Sequence, residues 1–274
     1  MPIDVEDWPR LERPVLVMAL SGWVDAGLAG AGAASILSEQ MESSRRFGRI
    51  DLSEDVDLQQ TRPSVSLVDG ETRMIAWPTI DLVAGRARRD LVLVTGPEPS
   101  VRWRALCAEL VDASKTLGVE RAVMLGGMPA VVSHRRPVQV LATATSRSLA
   151  QESGALRSDY AGATGAQTVV QMALGEAGIP ALGLWAQVPH YVSATASPPA
   201  ISALLRRLGE LTGVEAELGS LDAQADTYTK RVEDGLAERP DVAELVQAIE
   251  AGTTDVPTGD ELASEIERYL RDQG

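Results

Sequence analysis

Val15-Leu16-Val17-Met18-Ala19-Leu20 is an unbroken apolar run ending in Ser21-Gly22, and it predicts a strand buried on both faces. From Leu28 to about Met41 the chain becomes rich in Ala, which suits a helix returning across the sheet. Val65–Val68 and Thr72–Trp77 flank Asp69-Gly70, the signature of a tight β-hairpin. Leu91–Thr95, Ala122–Leu125 and Ala181–Val188 are further short buried strands. Between the first two of these, Trp103, Leu106, Cys107, Leu110, Val111 and Leu117 share one face of a predicted helix. Thr164 and Gln167 have the spacing of a capping box, so a helix is predicted from there to Gly178-Ile179-Pro180. Ser197-Pro198 opens another, with Ile201, Leu204, Leu205 and Leu208 as its buried stripe. Strands alternating with helices predict an α/β fold whose mixed, mostly parallel sheet is flanked by helices, the hairpin adding an antiparallel element.

The pattern changes after Gly213. Leu218, Leu221, Ala225, Tyr228 and Val232 recur at alternating spacings of three and four, as in a helix that packs on another helix. Val242, Leu245, Val246 and Ile249 form a second stripe after Pro240. Thr258 and Glu261 form a capping box before a third stripe, Leu262, Ile266, Tyr269 and Leu270. Such narrow stripes cannot build a core alone, so these helices are expected to dock on the main body or on a neighbouring subunit. Charge marks the same boundary: from Glu215 onward there are sixteen acidic residues to five basic ones. The chain therefore divides into an α/β domain, residues 1–213, and a small all-α acidic extension, residues 214–274.

The 274 residues carry a net charge of −14, and 45% are hydrophobic, enough for a substantial core. That charge excludes general nucleic-acid binding, which needs a basic face. No run reaches the roughly 18–20 apolar residues of a membrane span, and the acidic start, Met1-Pro2-Ile3-Asp4, has no signal-peptide features. Cys107 is the sole cysteine, which fits a reducing cytoplasm. With two histidines and one cysteine at unsuitable spacings, a zinc site is not expected, and no metal or cofactor is implied.

Candidate chemistry gathers in a few turns that use Trp, His, Arg and Pro where Ser or Asn would serve. The first holds Gly22, Trp23, Asp25 and Gly27 between a strand and a helix, where backbone N–H groups could hold an anion. Its spacing matches neither the dinucleotide fingerprint nor the P-loop, which favours Asp25 as a helix cap and Trp23 as a packing residue. Glu98, or Ser100, stands where it could cap the next helix, with Trp103 and Arg104 read as packing and a surface ion pair. His134, Arg135 and Arg136 form a compact cationic cluster, able to grip a phosphate or carboxylate or to pair with acids across a subunit contact. The contact reading is favoured. Tyr160 and Thr164 lie in a Gly-rich turn before a helix. His190, beside Tyr191, is placed either as a general base or, more commonly, as a histidine bonded to a loop carbonyl. No nucleophile-elbow motif occurs, so no catalytic residue is assigned.

Taken together, Gly22-Trp23-Val24-Asp25-Ala26-Gly27, Gly96-x-Glu98-Pro99-Ser100-x-x-Trp103, Gly127-Met128-Pro129 with His134-x-Arg136-Pro137, Tyr160-x-Gly162-x-Thr164-Gly165 and Trp185-x-x-Val188-Pro189-His190-Tyr191 resemble the proteasome assembly chaperone 2 family. The resemblance runs in order from about Val15 to Leu208. It implies a fold similar to purine nucleoside phosphorylase and oligomers of identical or related subunits, with a trimer expected. It also implies a role as a chaperone or scaffold for protein assembly, acting on a protein client. The family's proteasome-docking members end in a hydrophobic-Tyr-any tripeptide. Here the chain ends Asp272-Gln273-Gly274, which argues against tail-mediated proteasome docking. The alternative function is an enzyme or binder of a small anionic metabolite, nucleoside- or phosphate-like, held at the strand ends.

Overall fold

The computed structural model describes residues 1–154 and 161–252. Its main sheet has eight strands: β1 (Asp4–Val5), β2 (Val15–Ser21), β3 (Glu42–Asp51), β6 (Thr79–Ala87), β7 (Arg89–Pro97), β8 (Arg121–Ala130), β9 (Val140–Ala144) and β10 (Ala181–Pro189). Strands β4 (Ser64–Val68) and β5 (Glu71–Ala76) form a separate two-stranded hairpin. The helices are α1 (Ala29–Gln40), α2 (Trp103–Leu117), α3 (Arg147–Glu152), α4 (Ala166–Glu176), α5 (Pro198–Thr212), α6 (Gly219–Ala237) and α7 (Pro240–Ala251). The spatial order of the sheet is β1-β3-β6-β7-β2-β8-β10-β9.

The α/β architecture with a mixed sheet is as the sequence predicts. Parallel pairing is confined to the central four strands, β7, β2, β8 and β10. Antiparallel strands flank them: β6, β3 and β1 on one side and β9 on the other. This antiparallel share does not come from the predicted hairpin, which stands apart from the sheet. It comes from β1, β3, β6 and β9, of which β3, Glu42-Ser-Ser-Arg-Arg-Phe-Gly-Arg-Ile-Asp51, is too charged to read as a strand. Pairing with β6 on one side and β1 on the other holds it in place, with two register breaks along the β6 pairing.

Strand β2 shows why the core has two layers. Alternate side chains point to opposite faces of a sheet. Val15, Val17 and Ala19 accordingly join the layer under α1 and α5, while Leu16, Met18 and Leu20 join the layer under α2 and α4. The turn leading into α1 approaches β8 so closely that a Cβ on Gly127 would lie 2.1 Å from the carbonyl oxygen of Ala26. Only glycine permits that contact.

The hairpin turns on Asp69 and Gly70, both with positive φ (51° and 80°), as a two-residue turn matched to strand twist requires. Val65 lies opposite Ile75 and Ser66 opposite Met74, so apolar side chains occur on both faces. None of its strand residues is buried, and Leu67 and Met74 are 62% and 60% exposed.

Beyond α5, helix α6 packs on α5 through buried Leu221, and α7 packs on α6. Two of the three predicted C-terminal helices thus dock on their own chain. The third, with Thr258, Glu261 and Tyr269, lies outside the described residues, as does Tyr160. No helix among the described residues is long and apolar enough to cross a membrane.

Candidate functional site

The four parallel strands run the same way, so the turns after β2, β7, β8 and β10 all emerge at one edge of the sheet. The amino ends of α1, α4 and α5 meet that edge too. In open α/β sheets this is where ligands bind. The predicted site residues gather there in two groups, joined by the turn that carries Asp25 and Gly27.

The first group surrounds Glu98, at the end of β7. Its carboxylate accepts from the backbone N–H groups of Trp23 (3.3 Å) and Ala166, the first residue of α4. Gly22, at φ 140°, lies against the Glu98 side chain, and Gly165 packs against both Glu98 and the Trp23 ring. Glu98 therefore caps α4, and not α2 as its sequence position suggests. Helix α2 starts without a side-chain cap, and Ser100 instead accepts from Asp57 N at 2.9 Å. The predicted capping box is overturned in the same place. Thr164 is exposed, Gly165 is the N-cap, and Gln167 points inward. Its amide accepts from Leu20 N (3.2 Å) and donates to Leu125 O (3.3 Å). Pairing of β2 with β8 ends at Met18 and Met124, so Gln167 satisfies backbone groups left unpaired where the two strands part. Nor does Trp23 fill a gap beside the sheet; it is 40% exposed. Arg102, and not Arg104, makes the ion pair in this region, with buried Asp55.

Asp25 sits between the groups and is 7% exposed. Its Oδ1 accepts from Gly30 N (2.8 Å) and Ala31 N (3.3 Å), which makes it the cap of α1. Its Oδ2 is buried without a protein partner among the described residues. Burial raises the carboxyl pKa to about 6, against the lowering effect of the two amide donors. Gly27, at φ 65°, donates to Ser193 O (2.6 Å) and accepts from Ser197 N (2.8 Å), tying the first turn to the segment after β10.

The second group centres on the turn after β8. Tyr191 Oη accepts from His134 N (3.0 Å) and lies 2.7 Å from His134 Nδ1. The ionised Glu233 carboxylate of α6 can only accept, so Nε2–H of His134 donates to it at 3.0 Å, and in the neutral imidazole Nδ1 is left to accept from the Tyr191 hydroxyl. Arg135 holds the same carboxylate in a bidentate pair (2.6 and 2.9 Å) and reaches Glu250 of α7 at 3.0 Å. Ser133 Oγ donates to Glu250 Oε1 (3.0 Å), and Arg136 donates to the Glu250 carbonyl (3.0 Å). The paired guanidinium of Arg135 holds Glu233 at a pKa of about 2 and depresses Glu250 as well, the latter after its bond from Ser133. In this structure the acids that meet this cluster, Glu233 and Glu250, come from the same chain. His190 Nδ1 lies 3.3 Å from the Ala130 carbonyl, and the ring lies edge-on to Tyr191.

A cavity of about 180 Å³ lies behind this turn, walled by Val131, Pro137, Val138 and Gln187 on the body and by Tyr228 and Ile249 from α6 and α7. Glu233 and Glu250 were missed in the sequence because the acidic extension reads as a solvated face. Their spacing of seventeen residues across two helices carries no local signal.

A layered α/β protein with its polar turns collected at one sheet edge is the class this geometry defines. The PAC2 family model matches residues 19–235, so the chain belongs to the PAC2 family, the proteasome assembly chaperone 2 family that its turns resemble. Among solved structures it is similar to the proteasome-assembly chaperone homologue Rv2125 of Mycobacterium tuberculosis, at 39% identity and a TM-score of 0.78 over 85% of this chain and 99% of that one. A PAC2 family protein of Streptomyces avermitilis matches at 40% identity and a TM-score of 0.77, with the same coverage. A Corynebacterium glutamicum protein of unknown function matches at 25% identity and a TM-score of 0.82, over 98% of this chain and 99% of that one. A search of curated proteins finds no match.

Proposed function

We propose that this protein is a non-enzymatic chaperone or scaffold for the assembly of protein complexes, acting as a homo-oligomer, with a trimer expected. In this reading residues 1–213 are the working α/β domain and residues 214–274 an acidic appendage. The observation that carries the reading is that the polar groups of the candidate turns are spent on one another. Glu98 fills the amino end of α4, Asp25 that of α1, and Glu233 occupies His134 and Arg135. A small anionic metabolite would have to displace the chain's own carboxylates from these donors, which favours the assembly reading over that alternative. The Mycobacterium tuberculosis relative, described as a proteasome-assembly chaperone homologue, supports the same direction. Exposed apolar side chains on both faces of the β4–β5 hairpin are surface that a second copy or a client would cover. Affinity capture of the tagged full-length chain after in-cell cross-linking is expected to return reproducible protein partners. Turnover of a small molecule by the purified chain would overturn the proposal.

A further inference from the structure

Among the described residues, the extension meets the body through contacts that differ in kind between its start and its distal part. Near its start, Leu221 is buried against α5, and Asp222 pairs with Arg206 and accepts from Ser202. Farther along, the docking of α6 and α7 on the turn after β8 depends on Glu233 and Glu250, together with buried Tyr228, Leu236 and Val246. The Arg135 pairs there are partly exposed, with Arg135, Glu233 and Glu250 keeping 40%, 37% and 29% of their side-chain surface, while His134, at 1%, meets Glu233 from a buried position. Pairs of that exposure hold weakly and exchange with solvent and with other charges. If the distal part lifts, the proximal contacts through Leu221 and Asp222 keep the chain anchored.

Removal of α6 and α7 would open the cavity behind the turn into a groove. Its rim would present Ser133, His134, Arg135 and Arg136, and its floor would combine apolar Val131, Pro137 and Val138 with Gln139 and Gln187. The receptor chemistry is set by what fills it now: two carboxylates gripped by one guanidinium, one aromatic ring and one aliphatic side chain. A planar guanidinium with an adjacent imidazole donor selects carboxylates in that arrangement.

We propose that this groove is a docking surface for an acidic peptide segment of a protein partner, and that α6 and α7 occupy it in cis until such a segment displaces them. The proposal rests on the assembly reading above and names the partner chemistry for it. The extension thereby acts as a built-in competitor, lowering apparent affinity by the fraction of time the groove is closed.

The test uses the full-length chain and, as probe, a fluorescently labelled peptide copying residues 227–252. Fluorescence anisotropy should show the Glu233→Gln/Glu250→Gln chain binding the probe about ten-fold or more tightly than wild type, because its own occupant is weakened. Adding Arg135→Ala should cancel that gain, and Arg135→Lys should cancel part of it. Hydrogen exchange of the wild-type chain, which involves no folding risk, should show α7 losing protection when excess probe is added. Equal probe binding by wild type and the double variant, or α7 protection unchanged at saturating probe, overturns the proposal. Capture of a cellular partner that the probe fails to displace would keep the assembly reading and discard this one.

Discussion

Asp25 and Glu233 are both carboxylates at the carboxyl edge of one sheet, yet their surroundings push them in opposite directions. Burial favours the neutral form of Asp25 up to a pKa of about 6, against 3.8 ordinarily, even though two amide donors on one oxygen favour the charged form. The native state then holds a proton that the unfolded chain has released, and stability falls as pH rises from about 4 to about 6. Above that window the ionised carboxylate costs about 3 kcal/mol. Asp25→Asn keeps an acceptor for Gly30 and Ala31 without the charge. It is expected to stabilise the protein by about 1–3 kcal/mol at pH 7.5 and to have little effect near pH 4. Denaturant titrations at the two pH values check this. A destabilised Asn variant at pH 7.5 would show that the buried charge is compensated.

At the scale of elements, α6 and α7 are held by charge as much as by apolar contact. Glu233 is held at about 2 by Arg135, and Glu250 is also depressed. A lowered carboxylate pKa contributes stability that is present above about 4.5 and is lost as pH falls toward 2. Docking of α7 is therefore expected to loosen over that range, and also when salt is raised from about 0.1 M to about 1 M. Pulsed hydrogen exchange should show α7 opening while the strands of the central sheet remain protected. Loss of both together would mean that the extension and body unfold as one unit. The signs differ usefully: acid relieves Asp25 and releases the extension.

For the whole molecule, the hairpin is the conspicuous surface. A two-stranded hairpin with apolar side chains on both faces is marginal in water unless something covers it. If a second copy does so, Leu67→Ser/Ile75→Ser should reduce the sedimentation coefficient from that of an oligomer while far-UV circular dichroism stays unchanged. Identical sedimentation of variant and wild type would remove the hairpin from the self-association surface.

The central apolar strands, the helix stripes of α2 and α5 and the Asp69-Gly70 turn were legible in the chain, because local periodicity and turn chemistry specify them within a few residues. So was the set of turns that resembles the family. Tertiary structure alone decided what the polar side chains in those turns do. Glu98 caps a helix that begins sixty-eight residues later, Gln167 bridges two strands where their pairing ends, and Arg135 finds its acids about a hundred residues away. A polar group removed from water takes whatever partner the fold brings to it. Sequence spacing reports only partners within a turn or two of helix, so the longer connections were invisible until the sheet set its turns side by side.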